Sequence, residues 1–285
     1  MQPLSQWPTH QRSAITGLVT DIDDTLTTHG QLTPDARQAL HDLRDAGVLV
    51  IPITGRPIGW CEPLMSGAPS APAWPVDAMV AENGALAWAR ARQDILHKNG
   101  LQPLRYNNSK LLKLYQQSSD ERYQQGQRLR AAQLHVMQAV PEIGPSQDSA
   151  GRETDLAFDV NEFVHLSPAT VARARAVLQD QGLHTHLSSI HLHGSLNCFD
   201  KWQGACWIVR TLWQRDLAQE RDHWVCVGDS GNDQALFEHF HHSVGVANIG
   251  QCAASLTHLP RYVTPDARGA GFAQLARAIV QARAA

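Results

Sequence analysis

Residues 14–27 read AITGLVTDIDDTLT, a short apolar, β-branched run that ends in three acidic residues. Such a run is a buried parallel strand, and its carboxyl end is where an open α/β sheet meets its ligand. The next segment, LTPDARQALHDLRDAG, predicts a helix over 34–46. Thr33 serves as N-cap, Pro34 takes the first helical position, Leu40 and Leu43 share a face, and Gly47 stops it. VLVIPIT at 48–54 is a second apolar strand, closed by Thr54-Gly55-Arg56-Pro57 and a short helical stretch toward Met65. Strand, helix and strand at this spacing form a right-handed parallel βαβ unit. A third strand, DAMVA, ends at Glu82-Asn83-Gly84.

Beyond residue 90 the rhythm changes. Residues 90–150 are rich in Gln, Ser, Asn and Arg, with helical periodicity from Leu111 and again from Leu129, then a break at PEIGPSQDSAG. DLAFDV, the helix-like SPATVARARAVLQDQG, and the alternating HTHL and IHLHG predict a small α+β layer. The parallel rhythm resumes with a helix after Lys201, strand HWVCVG, a helix after Asn232, strands SVGVAN and YVT, and a C-terminal helix. The expected fold is α/β: a doubly wound, mostly parallel Rossmann-like core of residues 1–83 and 198–285, with an α+β cap domain inserted over 84–197.

The chain has 285 residues, 43% hydrophobic and 18% charged, with a formal net charge of -3. That composition suits a folded protein, and the lack of any basic block argues against a nucleic-acid partner. MQPLSQWPTHQRSA has no basic-then-apolar signal pattern, and no apolar stretch reaches the roughly 18 residues of a membrane span. A cytoplasmic protein with no membrane partner and a small-molecule ligand is expected. The five cysteines are scattered without CxxC, which suits a reducing compartment and neither a disulfide framework nor a thiolate zinc site.

Four signals at strand ends or helix starts carry chemistry. Asp21 and Asp23 stand two apart in extended backbone and so leave the strand on one side. Crowded carboxylates repel unless a cation neutralises them, and magnesium, which prefers oxygen ligands and keeps several waters, suits such a site. Thr54 and Gly55 offer a hydroxyl and backbone N–H groups to phosphate oxygens. Lys201 is the one lysine outside the insertion, since the others are Lys98, Lys110 and Lys113. Gly228-Asp229-Ser230-Gly231-Asn232-Asp233 places two carboxylates four apart in a glycine-containing turn, one a metal ligand and one its support. His184 and His186, and His191 and His193, pair on strand faces; without a matching carboxylate they read as a polar cap face or pocket lining rather than a second metal site.

The order of these signals resembles the haloacid dehalogenase superfamily, carried by DIDDTLT, ITGRP, AENGA and GDSGNDQALF. The insertion resembles the large cap of sucrose-phosphate, trehalose-phosphate and mannosyl-3-phosphoglycerate phosphatases and of eukaryotic-type phosphomannomutases. The family usually has Gly where Asp24 and Trp202 stand. The resemblance implies a magnesium-dependent phosphatase acting on a small phosphorylated metabolite, a sugar phosphate, through an aspartyl-phosphate. Asp21 is then the nucleophile and Asp23 the acid and base, with Thr54, Gly55, Lys201 and Asn232 on the phosphate. Mg2+ falls to Asp21, the Asp23 main-chain carbonyl, Asp229 and Asp233. Glu82, Asn83 and Gly84 lie at the cap hinge, with Arg56, His191 and His193 near the substrate. Two alternatives stay open. A phosphohexomutase would need a cap arginine cluster, for which Arg105, Arg122, Arg128, Arg130, Arg152, Arg173 and Arg175 are the candidates. A non-enzymatic phosphate-responsive switch would carry its acceptor aspartate after the third strand, where this chain has Glu82-Asn83.

Overall fold

Short apolar runs become strands covered on both faces, and the polar turns at their ends become the rim of the site. The computed structural model describes residues 1–68, 71–91, 103–106, 109–188 and 190–284. In chain order its main elements are β1 (Gln2–Pro3), α1 (Thr9–Ser13), β2 (Gly17–Thr20), α2 (Pro34–Asp45), β3 (Leu49–Pro52), α3 (Ile58–Ser66) and β4 (Ala78–Ala81). Then come β5 (Leu86–Arg90), β6 (Leu104–Tyr106), β7 (Ser109–Tyr115), α4 (Ser119–Ala139), β8 (Gly144–Pro145), β9 (Asp155–Asp159), α5 (Pro168–Asp180), β10 (His184–Leu187) and β11 (His191–Ser195). The last are α6 (Lys201–Trp213), β12 (Trp224–Gly228), α7 (Gln234–His239), β13 (His242–Gly245), β14 (Tyr262–Val263) and α8 (Arg268–Ala284).

The core sheet is parallel, in the order β1-β14-β13-β12-β2-β3. β4 lies beside β3, with Ile53 bridging Val80 and the Thr54 N–H donating to the Val80 carbonyl at 2.9 Å. β2 therefore runs between β12 and β3, which brings the ends of all three to one edge. The N-terminal edge was not foreseen from sequence, because THQRS carries no apolar run. It is held by Trp7, fully buried and stacked on Tyr262 at 5.7 Å between ring centroids.

Among the described residues two antiparallel sheets accompany it, β4-β5-β7-β6 and β10-β11-β9-β8. The helical periodicity expected from Leu111 is corrected: Leu111, Leu112 and Leu114 lie in strand β7. Leu111 packs with Leu86 and Trp88 in one core cluster, and Leu112 and Leu114 pack with Val19 and Ile51 in the other. A strand covered on both faces has no period of two, so its adjacent leucines imitate a helix. The segment 84–197 thus divides by its packing. Strands β5 and β7 pack with the core, whereas Leu129, Val136, Phe158, Leu178 and Leu192 form a separate cluster between α4, α5 and the second sheet.

Gly84, after β4, and Asp200, before α6, meet closely. Gly84 has φ 121°, and a Cβ there would lie 2.5 Å from the Asp200 carbonyl oxygen. Gly84→Ala is therefore expected to lower unfolding free energy by about 2–5 kcal/mol, from strain plus overpacking. Urea denaturation of the purified variant checks this, and a midpoint equal to wild type contradicts it.

Candidate active site

The pairing of β2 with β12 places Asp21 beside Asp229. The Asp21 N–H donates to the Val227 carbonyl at 3.0 Å, so both strands end level. After Asp21 the chain turns back on the Ile22 carbonyl, which accepts from the N–H groups of Leu26 and Thr27 at 3.0 and 2.9 Å. That turn puts Asp24 at φ 56°, a left-handed conformation that explains a preference for glycine there. Asp tolerates it because its carboxylate accepts from Arg268 Nε at 2.8 Å and its carbonyl from Asn248 Nδ2 at 3.0 Å.

Asp229 is held at both oxygens, by Thr25 Oγ1 at 3.2 Å and Asn248 Nδ2 at 2.7 Å. Asp233 closes the turn, its Oδ2 accepting from the N–H groups of Asp229 and Ser230 at 2.9 and 3.0 Å. Gly228 makes room for this, since a Cβ there would sit 2.4 Å from Asp233 Cγ. Lys201 opens α6, which Asp200 caps by accepting from the Gln203 N–H at 2.7 Å. Its Nζ donates to Asp21 Oδ1 at 2.5 Å and Asp233 Oδ1 at 2.7 Å, with the whole side chain at 0% exposure. Trp202 does not displace it, because that ring packs on His239 and Phe240 at 4.9 and 5.3 Å.

Carboxylate oxygens of Asp21, Asp229 and Asp233 lie within 4.8 Å of one another, all buried. Burial, opposed by Lys201 and reinforced by Asp233 and Asp23, pushes Asp21 up to about 7. Burial first, then Asp21 and Asp233, raises Asp229 well above the ordinary carboxylate range. Three carboxylates against one ammonium leave a buried negative excess that a divalent cation neutralises, and an all-oxygen donor set fits magnesium. Asp233 has both oxygens engaged by Lys201 and its own turn, which makes it a support for Asp21 and Asp229.

Asp23 points elsewhere. Its carboxylate accepts the Arg56 fork, from Nε and Nη2 at 3.1 Å each. Arg56 also donates across to the cap, to Asp148 Oδ2 at 3.2 Å and Glu162 Oε1 at 2.8 Å. Burial works against the guanidinium, but Asp23 and Glu162 outweigh it and keep it charged. Thr54 is buried, and its Oγ1 accepts from the Arg56 N–H at 3.0 Å, shaping the turn at Gly55. Between Asp21, Thr54, Gly55 and Asn232 of the core and His191 and His193 of the cap lies a cleft of about 20 Å³. That is room for one or two waters, so an ester enters only as the cap moves away.

The residues expected at the hinge divide by their contacts. Glu82 and Asn83 both have left-handed backbone, φ 50° and 55°. The buried Glu82 carboxylate accepts from Thr154 N–H at 2.7 Å, Thr154 Oγ1 at 2.6 Å and Glu153 N–H at 3.1 Å, which ties β4 to the cap. Burial and Asp155 push it up to about 7 against those donors. Asn83 Oδ1 accepts from Asn232 Nδ2 at 3.4 Å, while its own Nδ2 is buried without a partner among the described residues.

His191 Nε2 meets Glu162 Oε2 at 2.8 Å and His193 Nδ1 meets Asp155 Oδ2 at 3.0 Å, so each imidazole has a carboxylate partner from the cap. Of the cap arginines among the described residues, Arg152 is the one that bonds to the wall of the cleft, donating to the Gly55 carbonyl at 2.9 Å. Arg173 pairs with Glu142, Arg175 donates to Thr185, and Arg122 stacks on Tyr115. Lys98 and the side chain of Arg105 lie outside the described residues. Asp148, Asp155, Glu162, Thr25 and Asn248 were missed from sequence. Only Asp155, an acid opening the strand DLAFDV, carried a local signal.

Residues 18–126 match the model of the haloacid dehalogenase-like hydrolase family. No curated protein matches the chain. Among solved structures, the C-terminal domain of C. albicans trehalose-6-phosphate phosphatase superposes with a TM-score of 0.63 at 11% identity, covering 99% of both chains. A Thermoplasma acidophilum protein gives 0.62 at 15% identity, covering 93% of this chain and 98% of its own. The sucrose-phosphatase of Synechocystis, solved with sucrose and phosphate, gives 0.60 at 14% identity, covering 92% and 97%. The core and cap arrangement is thus that of these folds. No helix among the described residues is long and apolar enough to cross a membrane.

Proposed function

We propose that this chain, a haloacid dehalogenase-like hydrolase by the family match of residues 18–126, is a magnesium-dependent phosphatase of small phosphate monoesters that works through an Asp21 aspartyl-phosphate. One observation carries the reading: the buried carboxylates of Asp21, Asp229 and Asp233 converge within 4.8 Å beside Lys201, at the floor of a cleft roofed by the cap. Asp21, Asp229 and the Asp23 main-chain carbonyl would hold the cation. A bound divalent ion there offsets the repulsion between an anionic nucleophile and an anionic phosphate.

The chain's own groups do the rest. Asp21 attacks phosphorus in line while Lys201 and Asp233 hold it in one orientation. Thr54, the Gly55 N–H and Asn232 surround the place of the phosphoryl oxygens. Released from its pair with Arg56 as the cap moves to admit the ester, Asp23 protonates the departing oxygen and then takes a proton from the water that opens the acyl phosphate. Asp23→Asn is expected to lower kcat by about 10²- to 10⁴-fold, with the circular dichroism spectrum retained. Steady-state assays at saturating magnesium check this, and undiminished kcat contradicts the role.

The cap encloses the leaving alcohol. Its resemblance to sucrose- and trehalose-phosphate phosphatases supports a sugar phosphate as substrate. Hydrolysis is favoured over mutase chemistry because Arg56 at the cleft and Arg152 behind it hold protein groups, Asp23, Asp148, Asp155, Glu162 and the Gly55 carbonyl, rather than standing open to a second phosphate. No second phosphate grip is thereby assembled among the described residues. Assaying a panel of sugar phosphates with magnesium and with EDTA tests the whole reading. Magnesium-dependent release of free phosphate supports it; an isomerised ester, or release indifferent to EDTA, overturns it.

A further inference from the structure

Nδ1 of His193 is bound to Asp155, while its Nε2 has no hydrogen-bond partner among the described residues and borders the cleft. A Cβ built on Gly55 would lie 3.0 Å from that Nε2 and 3.3 Å from Asn83 Nδ2, so both atoms converge on the turn beside Thr54. The ring is held from behind. Arg152 Nη1 donates to Asp155 Oδ1 at 2.9 Å, and Asp155 Oδ2 lies 3.0 Å from His193 Nδ1. His193 and Asp155 are only 2% and 6% exposed.

This chain of contacts fixes a tautomer. Burial opposes ionisation of Asp155, yet Arg152 and His193 outweigh it and hold the carboxyl below its ordinary value. Asp155 is then an acceptor only, so Nδ1 carries the proton and Nε2 presents a bare lone pair. Burial, despite Asp155, also pushes the imidazole down to about 4, which keeps it neutral at neutral pH. A lone pair does not bond to phosphoryl oxygens, which are acceptors themselves. It bonds to a donor carried near them. Asn83 Nδ2, without a partner among the described residues, is a free donor on the other side of the Gly55 turn.

We propose that His193, oriented by Asp155, determines specificity by accepting a hydrogen bond from a substrate hydroxyl on the carbon next to the ester carbon. The site then selects polyol and sugar phosphates over esters that lack that hydroxyl. This rests on the phosphatase reading above. Asp155 and Arg152 act as positioning residues, and because Arg152 also grips the Gly55 carbonyl, the acceptor is set when the cap is down.

The test pairs glycerol 1-phosphate with propyl phosphate as probes. Wild type should favour the hydroxylated ester about 10- to 100-fold in kcat/KM, the scale of one buried hydrogen bond. Asp155→Asn, which can donate to Nδ1 and so reverse the tautomer, should collapse that preference, and His193→Phe should do the same. Nitrogen-15 NMR of histidine-labelled protein should show His193 protonated at Nδ1 in wild type and at Nε2 in Asp155→Asn. Equal losses on both esters, or a wild-type His193 that is Nε2-protonated or cationic at neutral pH, would overturn the inference while leaving the phosphatase reading intact. If neither ester is turned over with magnesium, nor any member of the sugar phosphate panel, the phosphatase reading fails and the selection fails with it.

Discussion

Asp21→Asn is expected to abolish phosphate release, by about 10⁵-fold or more, the scale on which removal of a covalent nucleophile acts. The amide keeps the shape and the N–H bond to the Val227 carbonyl but offers phosphorus no anionic oxygen. Lys201 keeps its second partner, Asp233, so the buried ammonium is not orphaned. Loss of one of three crowded carboxylates also relieves the burial and repulsion that push Asp21 up to about 7. The variant should therefore fold, with a melting temperature no lower than that of metal-free wild type. Circular dichroism and a phosphate-release assay on one preparation separate the two effects. Activity within tenfold of wild type contradicts the assignment.

Lys201→Met is expected to act on both stability and rate. The ammonium is fully buried between Asp21 and Asp233, and burial's opposition to its charge is outweighed by those two carboxylates. Removing it leaves three carboxylates facing each other without a counter-ion. Breaking a buried pair in this way costs about 3–5 kcal/mol. Chemistry should also slow, by about 10²- to 10³-fold, since a charge stabilising the transferring phosphoryl group is gone. Magnesium should then raise the melting temperature of Lys201→Met more than that of wild type, because a bound cation relieves the larger repulsion. Thermal melts with and without magnesium check this, and an unchanged metal-free melting temperature contradicts the arrangement.

What could be read in the sequence was what local chemistry determines. Asp21, Asp229 and Asp233 follow continuous apolar strands, and Lys201 begins a helix where the chain returns to the core. Each stood out by its place at the end or start of an element, and the structure brings all four together. The network that ties Asp23 to the cap could not be read so. Arg56 meets Asp148 and Glu162 across 92 and 106 residues, and Arg152 meets Gly55 across 97, pairings that exist only once the cap lies over the core. No spacing rule covers them. Leu111 failed for a different reason: a strand apolar on both faces lacks the alternation that marks a strand. Asp24 shows the converse, because left-handed backbone at that point accounts for a glycine preference and the bonds from Arg268 and Asn248 show how an aspartate meets it.

The claim on which the mechanism turns is that phosphate becomes bonded to Asp21. Acid-quenching the enzyme during magnesium-dependent turnover, reducing with borohydride and sequencing the peptides by mass spectrometry reads this directly, since only an acyl phosphate is reduced to homoserine. Homoserine at position 21, absent when substrate or magnesium is withheld, is the predicted result. Reduction at another carboxylate, or none at all in an enzyme quenched at full turnover and in Asp23→Asn, would contradict it.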